Sequence, residues 1–366
     1  MKRLLLNTLA LSLAAAFATS AYAADTKAPA KKAAKSAKHA LAAGIDKGFI
    51  DPAVRAQDDF FLHFSGKWLQ QTEIPADKAR WGGFEVVREE IQPQLRAIID
   101  EAGAGKIQGV EAKKIGDLYA SYMDEARADQ LGAKPIEPFL ARIAAIKDKK
   151  ELAALIAKHS SQGLPVPFTS GVSQDARDST RYAVYMGQSG LGMPDRDYYL
   201  KMEDAKMADT RAKYEAHVTR MLTLAGNANA AADAKAIVAL ETELARAQWS
   251  RVDNRDPVKR YNKVEVAKLA GLMPNFDWNT YLSGVGYQGK TDYVIVSQPS
   301  YLTALDGLMQ STPLETWKAY FQWHVVRAYA PALSKTFADE SFAFTGPVLT
   351  GVTEQRPRWK RGVAAV

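Results

Sequence analysis

The feature that most constrains this chain is a helical periodicity that fills most of its length and breaks near the centre. In FEVVREEIQPQLRAIIDEA, Phe84, Val87, Ile91, Leu95, Ile98 and Ile99 recur at helical spacing. Pro93 falls inside that pattern, so a kink is expected there. GVEAKKIGDLYASYMDEARADQ repeats the spacing with Val110, Ile115, Leu118, Tyr119, Tyr122 and Met123. PIEPFLARIAAIKDKKELAALIAKHSSQG reads as two short helices broken near Asp148, with Pro135 at a helix start, where its missing N–H costs nothing. Helical spacing returns at residues 205–226, 230–250 and 313–338. Between these blocks, Pro, Gly, Ser and Asp flank short β-type runs. They predict a hairpin pairing Phe168–Ser173 with Arg181–Gln188. DYVIVSQPSYL is a further strand candidate. No strand–helix–strand alternation and no fixed-period repeat occur. The expected fold class is mainly α, with a small β-hairpin near residues 168–188.

A chain of 366 residues can bury a large core, and length alone suggests about two domains. MKRLLLNTLALSLAAAFATSAYAAD has a basic start, an apolar run from Leu4 to Ala18 and small residues at Ala21 and Ala23. That pattern predicts a signal peptide over residues 1–23, cleaved after Ala23, rather than a membrane anchor. The implied location is exported, periplasmic or secreted, with no transmembrane segment after cleavage. Residues 24–44 are an Ala/Lys tract too poor in apolar variety to form a core, and read as a disordered linker. The net charge of +7 belongs largely to these two segments. Residues 1–44 hold seven Lys/Arg and one Asp, which leaves 41 basic and 40 acidic residues in the body. A nearly neutral body gives no case for nucleic-acid binding. The absence of cysteine fits a fold held by its core rather than by disulfides.

Chemistry-bearing motifs are sparse. His39, His63, His159, His217 and His324 include no pair four apart, so no H-E-x-x-H helix is present. There is no G-x-S-x-G elbow and no Gly-rich phosphate loop. His217 in YEAHVTRM and His324 in FQWHVVRAY sit on apolar faces and read as core residues. Three segments are dense in aromatics mixed with Asp and Arg: DDFFLHFSGKWLQQTEIPADKARWGGFEVVREE, SGLGMPDRDYYL and WSRVDNRDPVKRYNKVEVAKL. On composition alone these are helix ends pinned by Trp and Tyr, and loops fixed by Asp/Arg pairs.

At these segments the chain resembles the neprilysin family of zinc metalloendopeptidases, which includes endothelin-converting enzyme. The matching residues are Asp59-Phe60-Phe61, Gly66-Lys67-Trp68, Ile74-Pro75, Arg80-Trp81-Gly82-Gly83-Phe84, Gly192 through Tyr199, Asn254-Arg255-Asp256, Tyr261-Asn262, VIVSQPSYL and the terminal RPRWKRGV. They run in order from about Asp51 to the last residue. The resemblance implies that residues 45–366 form the helical cap lobe of a two-lobed metallopeptidase. It implies that the H-E-x-x-H motif and a downstream Glu ligand lie beyond Val366, so that this is an N-terminal half. Zinc would then act in the complete enzyme, none would be bound by this chain, and the chain alone would be inactive. The implied partners are peptide substrates and the missing C-terminal catalytic lobe.

By the same resemblance, Arg80 meets the C-terminal carboxylate of short peptides and Glu85 orients it; the plainer reading pairs Arg80 structurally with Glu85 or Glu89. Arg196, Asp197, Arg255 and Asp256 are expected to brace loops. Animal members carry disulfides in this region, and the matching positions here are Gln57, Ser65, Tyr122 and Gly362, with Tyr122 and Gly362 matching the two partners of one bridge. The alternative is a non-catalytic periplasmic peptide- or partner-binding protein derived from the cap lobe.

Overall fold

Helices dominate the described chain, residues 46–366 of a computed structural model. The leader, its cleavage site and the Ala/Lys linker lie outside the described residues. The chain divides into two units, one ending at Thr72 and one covering Glu73–Val366. In the first, helix Phe60–Gln71 starts at Asp59, whose side chain accepts from Leu62 N–H at 2.9 Å. The preceding loop is tied to that helix by Asp51 N–H on the His63 carbonyl at 2.8 Å. A Cβ at Gly66 would stand 2.9 Å from the Asp51 side chain, which explains a glycine one residue before Lys67-Trp68.

The second unit is organised around helix Leu314–Tyr329, which is apolar on most of its circumference. Trp317, Tyr320, Phe321, Trp323, Val325 and Val326 are all fully buried. Helices Glu137–Ala144, Ala205–Leu224 and Ala230–Ala247 pack around it. The helical pattern expected over 313–338 is interrupted by Pro331, which sits in a 3-10 turn, Ala330–Ala332; a new helix follows at Lys335–Phe344. Helix Gly83–Gly103 runs through Pro93.

The hairpin forms where expected, with both strands reaching further toward the turn than the expected ranges. Strand β1 (Phe168–Asp175) pairs antiparallel with β2 (Asp178–Gln188), Phe168 opposite Gln188 and Ser173 opposite Ala183. It belongs, however, to a four-stranded mixed sheet. Strand β3 (Asn262–Glu265) pairs antiparallel with β4 (Tyr293–Val296), and β4 lies parallel to β2, giving the order β1-β2-β4-β3. Of the strand candidate DYVIVSQPSYL, only the first half is strand. Pro299 starts helix Pro299–Ser311 because a proline at the first helical position loses no bond.

Three histidines are core residues. His217 is stacked on Phe344 with ring centroids 4.8 Å apart, His324 lies 4.3 Å from the Tyr320 ring, and His159 meets Phe321 edge-on at 5.4 Å. Burial pushes the His159 imidazole down to about 4, and nearby Arg142 and His324 push it the same way.

Glu241 is the most deeply buried carboxyl among the described residues. Glu241 accepts from Tyr199 Oη at 2.6 Å and Tyr214 Oη at 2.8 Å, and His324 Nε2 stands 3.3 Å away. Tyr199 Oη also accepts from the N–H groups of Gly192 and Met193, at 3.1 and 2.9 Å. The Gly-Met-Pro-Asp-Arg-Asp-Tyr-Tyr motif is therefore a loop that closes on its own tyrosine. A Cβ at Gly192 would lie 1.7 Å from Tyr214 Oη, a position the Glu241 bond prevents that hydroxyl from leaving. Gly192→Ala is expected to cost about 3 kcal/mol or more of stability in denaturant unfolding. Gly307→Ala, in a helix with open space at its Cβ position, should be neutral or slightly stabilising in the same measurement.

Candidate functional site

Arg80 and Glu85 flank the start of helix Gly83–Gly103. Gly82 is the N-cap and donates no side-chain cap. Glu85 occupies the first turn, where a carboxylate is favoured by the unsatisfied N–H groups of a helix N-terminus. The short loop before it is closed by Lys78 N–H on the Pro75 carbonyl at 2.9 Å. Arg80 Nε then donates to Glu85 Oε1 at 2.9 Å. The Arg80 side chain is 78% exposed and Glu85 only 17%, so one edge of the guanidinium is held and the other faces solvent.

One helical turn beyond Glu85 stands Glu89, which receives both Lys78 and Lys360. Burial works to raise the Glu89 carboxyl, but the Lys360 and Lys78 hydrogen bonds outweigh it and the net shift is downward. Glu89 thus ties three segments together: the loop carrying Arg80, the long helix and the C-terminal helix Arg358–Ala365. That last helix is anchored further by Arg358, which donates Nε and Nη2 to the Tyr122 carbonyl at 3.0 and 2.6 Å. Trp359 receives the Arg96 guanidinium 5.1 Å over its ring, and Val363 joins Ile99 and Tyr119 in a small apolar cluster. A Cβ at Gly362 would lie 3.1 Å from Cδ1 of Tyr122. The two positions that the resemblance matches to one bridge are neighbours, and here an aromatic ring on a glycine fills the space.

The motif arginines divide. Arg196 donates to the Gln248 carbonyl, and its neighbour Asp195 pairs with Arg251, so that segment is braced. Asp197 instead opens the short helix Asp197–Leu200 and pairs with Lys201 at the surface, at 2.9 Å. Asp256 caps its own turn through the N–H groups of Val258 and Lys259. Arg255 is exposed and makes no ion pair among the described residues, which corrects the bracing role expected of it. Asn254 does that work, accepting from Gln298 Nε2 at 2.7 Å and donating to the Trp249 carbonyl at 3.2 Å.

The spacing of Glu85 and Glu89 on one helix face was readable from sequence. Lys360 and Arg356, far along the chain, carry no local signal that they reach it. A concavity of about 490 Å³ opens beside Arg80, lined among others by Lys78, Arg88, Glu89, Gln92 and Arg356.

Among the described residues no group of three or more His, Cys, Asp or Glu side chains is arranged to hold a metal ion. The buried histidines lie apart from one another, His217 beside Glu340 and His324 beside Glu241, and do not assemble into such a group. No helix of the described residues is long and apolar enough to cross a membrane.

Comparison with known proteins matches residues 56–366 to Peptidase family M13. Endothelin-converting enzyme 1 of Cavia porcellus is 27% identical over 323 residues, which are 85% of this chain and 42% of that protein. The Mycobacterium tuberculosis zinc metalloprotease Zmp1, in a crystal structure with an inhibitor, is 38% identical with a TM-score of 0.82, over 88% of this chain and 49% of that one. PepO from Lactobacillus rhamnosis HN001 shares the fold at 20% identity and a TM-score of 0.69. The chain spans less than half the length of these relatives.

The Glu89 carboxyl is lowered on folding, so its contribution is complete above the usual carboxylate range and is lost as pH falls through the folded value. Glu89→Gln is expected to cost about 1–3 kcal/mol at pH 7, measured by urea unfolding. The gap from the parent chain should close as the pH is lowered below 4.5.

Proposed function

The chain belongs to peptidase family M13, and from that premise we propose that it supplies the N-terminal, substrate-contacting part of a zinc-dependent peptide hydrolase. The observation that carries the binding role is the Arg80 geometry. Its Nε is held by Glu85 at 2.9 Å while the rest of the guanidinium stays on solvent. A planar fork fixed on one edge is suited to receive a carboxylate on the other, a charge-assisted contact of about 1.5–3 kcal/mol. Glu85 orients the fork and Glu89, through Lys78, holds the loop that carries it. Arg80 would bind the free C-terminal carboxylate of short peptides.

The zinc and the residues that would hold it are proposed to belong to the rest of a longer protein. Two findings support this: relatives of which this chain covers less than half, and the surface of helix Gly83–Gly103. Phe84, Val87, Ile91, Leu95 and Ile98 are exposed, Phe84 by 83%, and Ile99 alone of the six periodic residues is buried. A soluble protein rarely leaves so long an apolar stripe uncovered, which favours packing against further polypeptide over a self-sufficient partner-binding module. An exported location, periplasmic or secreted, belongs to the same proposal and rests on the leader-type N-terminus.

The 366-residue chain alone is expected to bind no stoichiometric zinc and to cleave no peptide. Metal analysis together with a chelator-controlled peptidase assay checks this; chelator-sensitive cleavage by the isolated chain would refute it. In the full-length enzyme, Arg80→Gln should raise KM at least about tenfold for short free-acid peptides and leave amidated ones nearly unchanged. Equal effects on both substrate types would remove the carboxylate contact.

A further inference from the structure

Strand β1 stands at one end of the order β1-β2-β4-β3, so only one of its sides is paired. The register shows which groups are free. Ser189 N–H donates to the Pro167 carbonyl at 3.1 Å, which makes Pro167 and Ser189 a hydrogen-bonded pair. Every second pair after it is bonded in the same way: Thr169 with Gly187, Gly171 with Tyr185 and Ser173 with Ala183. The N–H and C=O groups of Ser170 and Val172 therefore point away from β2, and none of the four has a hydrogen-bond partner among the described residues. Edges of this kind are ordinarily blunted by lysine, proline or a covering segment. Residues 169–174, TSGVSQ, hold no charge and no proline, and all but Ser170 are exposed. The edge is also held in place at its far end. Asp175 accepts from Tyr261 Oη and Tyr293 Oη, each at 2.8 Å, which ties the hairpin tip to β4 and to the residue before β3. Side chains alternate along a strand, so Val172 and Tyr182 share the face that carries Phe168, Val184 and Met186 into the core. Beyond the core that face is open, with Val172 59% and Tyr182 78% exposed.

We propose that β1 receives an extended peptide segment as a fifth, antiparallel strand. The complement of an N–H and C=O row is another extended main chain, and the free groups of Ser170 and Val172 bond two of its residues. An apolar side chain on the added strand then stands opposite Val172 and near Tyr182. Main-chain bonding leaves the hold tolerant of peptide sequence, with that one preference. The length of the open row favours a peptide over a second copy of this chain. It is closed at one end by the buried Phe168 and at the other by a register shift between Gln174 and Asp175. So short a row is little for two folded bodies, whose stable interfaces bury about 1,200–2,000 Å². The edge shares no residue with the concavity beside Arg80 and does not depend on the reading of that arginine.

The test uses the purified 366-residue chain and the peptide acetyl-Lys-Thr-Val-Thr-Val-Thr-Lys-amide, which offers Arg80 no carboxylate. Pairing sets its valines opposite Ser170 and Val172, with the valine N–H groups on β1 and the threonine N–H groups on solvent. N-methylation of the valines is expected to weaken binding at least about tenfold in titration calorimetry, and N-methylation of the threonines hardly at all. Residue-resolved hydrogen exchange reads the same contact on the protein. At saturating peptide the Ser170 and Val172 amides should slow at least about tenfold, while Gly171 and Ser173, already bonded to β2, keep their rates. Val172→Pro removes an edge N–H that β2 does not use and should weaken the peptide about tenfold. A circular dichroism melt checks the folding of that variant, and the peptide comparison on the unaltered chain needs no variant. Equal loss from the two N-methylated peptides, unchanged exchange at Ser170 and Val172, or no binding at millimolar concentration overturns the proposal and leaves the Arg80 reading as it was. A chain that sediments as a dimer with both amides protected before peptide is added overturns it as well, and gives the edge to a second copy.

Discussion

A single carboxylate, Glu241, organises the interior of this protein. A carboxyl group removed from water must find hydrogen-bond partners or it destabilises the fold. Here Tyr199 and Tyr214 supply hydroxyls at 2.6 and 2.8 Å, and His324 comes within 3.3 Å. The two hydroxyls and the His324 ring come from different elements, so the acid gathers helices Ala205–Leu224, Ala230–Ala247 and Leu314–Tyr329 around the short helix Asp197–Leu200. Trp323 Nε1 extends the network by donating to Tyr214 Oη at 2.8 Å. The glycines of the loop follow from it: Gly192 sits against the Tyr214 hydroxyl, and Gly190, at φ +93°, sits against that of Tyr320 and gives it a carbonyl to bond at 2.8 Å. Tyr301 closes the other side by donating to the Pro167 and Ser189 carbonyls, at 2.6 and 3.0 Å, which fixes both ends of the hairpin to the core.

A second acid, Glu89, performs the corresponding task for the candidate site. Its two lysines come from Lys78 and Lys360, on either side of nearly the whole second unit. The C-terminal helix can reach helix Gly83–Gly103 because its contact surface is small or flat: Gly362 lies under Tyr119 and Tyr122, and Val363 against Ile99. Helices Gly83–Gly103 and Val110–Met123 themselves approach so closely that a Cβ at Gly116 would stand 2.5 Å from the Gly103 Cα. The loop bearing Arg80 is therefore held by side chains from both ends of its unit, which is how an exposed arginine is given a defined direction.

Much of this was legible where the signal is local. Helical spacing located the helices around Tyr214, Glu241 and Trp323, and turn residues flanking β-type runs located the hairpin, while its register came from the pairing itself. The four residues of β3 were not legible, because Asn262–Glu265 become a strand through pairing with Tyr293–Val296 and not through their own pattern. The bracing role expected of Arg255 fell to Asn254, since which member of a polar run finds a partner depends on the loop's fold. Periodicity also does not report burial. The stripe from Phe84 to Ile98 has the spacing of a core face and is open to solvent.

The sequence by itself determined most of the helical segments, the place of the hairpin, that His217 and His324 are core residues, and that a helical pattern opens at Phe84 beside Glu85. These depend on side-chain period, on turn chemistry and on neighbours a few positions apart. Only the tertiary structure decided that the hairpin is half of a mixed sheet, that Glu89 joins Lys78 to Lys360, and that Gln92 and Arg356 line one concavity. Those relations link residues that the chain separates and packing reunites, and a buried polar atom is matched or unmatched only once its neighbours are in place.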